Sequence, residues 1–93
     1  MGFLLRDSKK VYREVEEPYA VFHKGCGTLF RIGEKIEMES YFDSVTNRYR
    51  AFGFHGEADE ITLMELPKDQ EEIDRVFGIV DYIGRLYQKQ MTN

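Results

Sequence analysis

Near the end of this chain Ile73, Val76, Phe77, Val80, Ile83 and Tyr87 recur at helical spacing. At 3.6 residues per turn they form one continuous apolar stripe, and a helix of that kind owes most of its stability in water to whatever covers the stripe. Asp69 stands where a helix cap belongs, Glu72 follows three residues later in capping-box register, and Pro67 suits the entrance. The spacing predicts a helix over residues 69–90 packed on a sheet. Gly84 lies inside the stripe, where it implies close approach to a neighbouring element. Ile79, Tyr82 and Leu86 lie beside it and widen the apolar surface beyond what one sheet face needs.

The cover must come from the residues before the helix, because 93 residues support one core and not two. From Tyr19 onward the pattern reads as strands: Tyr19–Lys24, Thr28–Ile32, Ile36–Phe42, Arg48–Phe54 and Ile61–Leu66, separated by glycine-containing or polar breaks. A three-residue connection over Gly33-Glu34-Lys35 sets Ile32 against Ile36 and Phe30 against Met38, giving an apolar face. The stretch Asp43-Ser44-Val45-Thr46-Asn47 has turn composition, and pairing Asp43 with Arg48 puts Phe52 and Phe54 on the more polar side. Residues 6–17 fit either a short helix or a strand, ended by Pro18. The expected architecture is therefore a single α+β domain over residues 1–93. A curved antiparallel β-meander of four to five strands spans residues 19–66, and the C-terminal amphipathic helix packs on it.

Arg50-Ala51-Phe52-Gly53-Phe54 interleaves a phosphate-pairing residue with base-stacking ones. It resembles the inner half of the strand signature with which RNA-recognition motifs stack exposed bases. The resemblance covers about five residues. It stops at His55-Gly56-Glu57, where that signature continues with an aliphatic residue and a further aromatic, and the partner motif is only faintly echoed by Val21-Phe22-His23. It implies single-stranded RNA or DNA binding through Arg48, Arg50, Phe52 and Phe54. The plainer account is a strand whose phenylalanines are core and whose arginines pair with Glu37, Glu39 or Asp43.

Charge argues against nucleic acid. The net charge is −4, and it is unevenly placed: residues 1–50 carry nine Lys/Arg against eight Asp/Glu, residues 51–93 four against nine. A protein that binds by counterion release needs a basic surplus, and this half-acidic chain lacks one overall. The lone Cys26, the absence of an apolar run of membrane-spanning length and Arg6 in place of the Ser or Thr of a myristoylation signal lead to an expectation of a reducing, cytoplasmic setting with no membrane partner.

Catalytic chemistry has little to draw on. His55-Gly56-Glu57-Ala58-Asp59-Glu60 brings an imidazole near carboxylates, but the two histidines lie more than thirty positions apart and one cysteine cannot complete a zinc set. Cys26 between Gly25 and Gly27 reads as a small, semi-buried residue in a turn rather than a reactive thiol. The chain is thus expected to have no catalytic residues, no metal and no cofactor. The function expected is that of a small non-enzymatic protein-binding module, a regulator, adaptor or inhibitor. Its candidate contacts are Asp59, Glu60, Asp69 and Glu72 in the acidic half, together with Ile79, Tyr82 and Leu86. A second copy of the chain, docked through the C-terminal helix, is the other partner expected.

Overall fold

The computed structural model describes residues 2–91, with side chains described except at Asp81 and residues 84–91. In chain order the elements are β1 (Phe3–Arg6), β2 (Val11–Val15), β3 (Pro18–His23), β4 (Thr28–Glu34), α1 (Lys35–Ala51), α2 (His55–Glu60), β5 (Ile61–Glu65) and α3 (Gln70–Met91). The expected class, α+β with antiparallel sheets, holds, and α3 occupies the place its stripe predicted. Residues 6–17, left open between helix and strand, belong to the β1–β2 hairpin.

The meander does not form. The expected third and fourth strands, residues 36–42 and 48–54, are replaced by α1, which runs unbroken through the first and through the supposed turn at residues 43–47 to Ala51. The reason lies in a second helical stripe: Met38, Tyr41, Phe42, Val45 and Tyr49 recur at 3.6-residue spacing and all pack in one cluster. Ile36, expected to face Ile32, is 76% exposed, whereas Met38 is 1% exposed. The turn-like residues Asp43, Ser44 and Asn47 lie on the exposed side of α1. Thr46 is buried, and its hydroxyl donates back to the carbonyl oxygens of Phe42 (2.9 Å) and Asp43 (3.1 Å), which removes the cost of burying it.

Two sheets result, one of β1 and β2 and one of three strands in the order β4-β3-β5. β3 is the central strand, antiparallel to both neighbours, with Ala20 and Val21 fully buried. Its two faces feed two hydrophobic clusters, because side chains alternate across a strand, so the single core expected for this length is divided by the sheet. On one face Ala20 and Ile32 meet Leu5 and Val15 of the hairpin and Ile73 and Val76 of α3. On the other, Val21 and Ile61 meet Met38 and Val45 of α1. Gln70 ties α3 to the hairpin by accepting from the Leu4 N–H (2.9 Å) and donating to its carbonyl (2.8 Å), and Arg6 reaches Asp74 at 3.1 Å.

Candidate partner-binding site

The end of α1 builds the most exposed aromatic surface among the described residues. Phe52 is the C-cap, and Gly53 follows with φ +86°, a left-handed conformation that only glycine adopts without strain. The Gly53 N–H donates to the Arg50 carbonyl (3.0 Å) and the Phe54 N–H to the Tyr49 carbonyl (2.9 Å), the two bonds of a Schellman motif. Its usual hydrophobic contact is here Tyr49 against Phe54, edge-on with centroids 6.4 Å apart. Arg50–Phe54 is therefore a helix stop and not a strand. The aromatic-glycine-aromatic spacing serves the cap, and the nucleic-acid-type strand expected here is corrected accordingly.

The cap holds Phe52 and Phe54 out in solvent, 73% and 58% exposed. With Arg48, Tyr49 and Glu57 they line a concavity of about 450 Å³. Among the described residues Arg48 has no ion-pair partner, whereas Arg50 is tied to Asp59 at 3.2 Å. Glu57 is held at 2.5 Å by His23 Nε2. Because His23 Nδ1 accepts from the Cys26 N–H (3.3 Å), the neutral ring carries its proton on Nε2 and donates it to Glu57. This clasp joins α2 to β3, and Ala58 of α2 is buried.

A second concavity, about 580 Å³, adjoins the first through Tyr49. Its lining is Thr28, Leu29 and Phe30 of β4, Tyr41 and Tyr49 of α1, and Val80 and Ile83 of α3. A register shift opposite Val21 and Phe22 places both Phe30 and Arg31 on the α1 side, where Phe30 packs near Tyr49 and Arg31 lies over the Tyr41 ring at 5.4 Å. Both clusters thus open at one sheet edge. The sequence reading missed this groove, since nothing local marks a strand as an edge.

The acidic candidates are placed differently. Asp69 caps α3, its carboxylate accepting from the Glu71 N–H at 3.1 Å. Glu72 does not reach back as the capping-box reading expected; it pairs forward with Arg75 at 2.6 Å. Asp59 faces Arg50, and Asp74 faces Arg6, whose guanidinium holds the Asp74 carboxyl below the usual carboxylate range. Glu60 is half-buried at the end of α2, its carbonyl accepting from the Lys24 N–H. Asp59, Glu72 and Asp74 are thus paired with arginines within the molecule. On α3, Ile79 and Tyr82 are 38% and 63% exposed, and Leu86 falls outside the described side chains.

Cys26, expected to be semi-buried, is exposed, with Sγ 3.1 Å from Thr28 Oγ1, and that hydrogen bond lowers the thiol pKa. Among the described residues no group of three His, Cys, Asp or Glu side chains could hold a metal ion. No described helix is long and apolar enough to cross a membrane.

No protein-family model, curated protein or solved structure matches this chain. Its own surface carries the functional reading. Among the described residues, the cleft at the end of α1 offers rings and one guanidinium without an ion-pair partner to a ligand.

Proposed function

We propose that the protein is a small protein-binding module, an adaptor, regulator or inhibitor that covers a surface of a larger protein, and that it docks through the cleft of Arg48, Tyr49, Phe52 and Phe54. One observation carries this reading: two phenylalanines are held in solvent by a helix cap, beside a tyrosine and an arginine with no ion-pair partner among the described residues. Aromatic residues and arginine concentrate the binding energy of protein interfaces, and exposed apolar patches are uncommon on monomers without such use. The acidic half then acts at longer range, through its field, and the cleft makes the contacts.

The rival partner is single-stranded nucleic acid, for which Phe52 and Phe54 are exposed enough to stack bases. Arg50 being engaged by Asp59 leaves that surface with little positive charge, which favours a protein. Affinity capture from source cells, comparing the native chain with a Phe52→Ser/Phe54→Ser double variant, tests the proposal. A protein retained by the native chain and lost by the variant is expected. Retention by both, or recovery of nucleic acid alone, would refute it.

A further inference from the structure

We infer that the cleft at the end of α1 takes a segment of the partner in which a bulky apolar side chain stands beside a carboxylate, the apolar group against Phe52 and Phe54 and the carboxylate on Arg48. The inference rests on the protein-binding reading above and specifies the chemistry of the partner.

Geometry sets the spacing. Arg48 and Phe52 are four residues apart at the end of α1, so they stand on one face of it with their roots about 6 Å apart. A partner matches that separation with residues two apart in an extended segment, about 6–7 Å, or three to four apart on a helix. The apolar wall is set before any partner arrives, because the Schellman bonds fix the turn and Tyr49 packs edge-on against Phe54. That lowers the ordering cost of binding.

Charge selects the occupant. Of the charged groups that line the cleft, Glu57 accepts from His23 at 2.5 Å, whereas Arg48 has no ion-pair or hydrogen-bond partner among the described residues. The next arginine, Arg50, is tied to Asp59. A purely apolar occupant would take water from the Arg48 guanidinium and return nothing, which costs free energy. A cationic one would meet Arg48 with the same sign. A polyanion would bring several phosphates to one available guanidinium, near the carboxylates of Glu57 and Asp59. A single carboxylate pairs with the guanidinium fork while its apolar neighbour covers the rings. The macrodipole of α1 favours a cation in its last turn and accounts for the charge, but not for two rings held in solvent beside it. The carboxylate is a local requirement; the acidic half of the chain still favours a partner that is basic elsewhere.

Selection of a random peptide display library against the intact chain, repeated against Arg48→Glu, tests this. Sequences selected by the native chain should carry Asp or Glu at a fixed spacing from a large apolar residue. Those selected by Arg48→Glu should carry Lys or Arg at that spacing. Exchanging the acid of the best binder for its amide should weaken binding to the native chain about tenfold and leave binding to Arg48→Gln unchanged. Arg48 is exposed, so circular dichroism of both variants should match the native chain, and the Arg48→Gln comparison decides the matter if Arg48→Glu does not fold. Binders whose acid is dispensable, or whose pattern is the same against Arg48→Glu, overturn the inference. The protein-binding reading survives that result where Phe52→Ser/Phe54→Ser abolishes their binding, and fails with it where the double variant still binds. If no peptide is enriched the inference is refuted; if, in addition, oligonucleotides bind the Phe52–Phe54 surface tightly, both readings fail.

Discussion

Two isoleucines, Ile73 and Ile36, give the sharpest check on how this chain folds, because the same substitution should have opposite consequences at the two positions. Ile73 is 0% exposed at the centre of the core between α3 and the sheet; Ile36 is 76% exposed near the start of α1. Ile73→Ala removes buried methyl and methylene groups and leaves a cavity, at a cost of about 2–5 kcal/mol, and full burial places it near 3.5 kcal/mol. Against a total stability of about 5–15 kcal/mol that is a large fraction, equivalent to a fall of about 14–28 °C in Tm for a domain of this size. Ile36→Ala removes side chain that already sits in water, and alanine is the better helix former, so stability should change by less than about 0.5 kcal/mol, if anything upward. Urea unfolding followed by circular dichroism at 222 nm, at unchanged m-value, measures both. A loss of about 2 kcal/mol or more for Ile36→Ala would refute the helix and restore a strand with Ile36 facing the sheet.

Gly53→Ala should destabilise by about 1–2 kcal/mol, because φ there is +86° with no atom crowding the new Cβ, whereas Gly56→Ala, equally uncrowded but without positive φ, should be neutral or slightly stabilising; thermal melts compare them. Asp74 and Glu37 have folded pKa values lowered mainly by hydrogen bonds from Arg6 and Arg13, so the stability they contribute is present above the unfolded carboxyl value near 4 and is lost as pH falls through the lower folded values. An Arg6→Leu/Arg13→Leu variant should therefore show a shallower fall in Tm between about pH 5 and pH 2 than the native chain. Fluorescence anisotropy should find no binding to mixed-sequence single-stranded RNA or DNA tighter than micromolar at about 150 mM salt. Sedimentation velocity over a hundredfold concentration range should detect a weak dimer through the exposed Ile79 and Tyr82 strip, lost in Tyr82→Glu; a monomer throughout would remove that strip as an interface.

The stripe of α3 was legible in the sequence because its periodicity is long, regular and started by a capping aspartate, all of which are local properties. The same holds for β3, β4 and β5, whose apolar runs are bounded by glycine and polar residues. α1 carried an equally regular stripe in Met38, Tyr41, Phe42, Val45 and Tyr49, but its turn-like residues at 43–47 obscured it. Those residues are compatible with a helix once their polar groups face water or, as with Thr46, bond back along it. Phe52-Gly53-Phe54 illustrates the limit of composition, since one spacing serves a base-stacking strand or a Schellman cap and the choice depends on the helix before it. What only the tertiary structure decided is which strand lies at the edge, which carboxylates find an internal arginine and where the two faces of the core come to the surface together. These are pairings between residues distant in sequence, such as Arg6 with Asp74 and Tyr49 with the Val80 wall of the groove, and no local pattern encodes them.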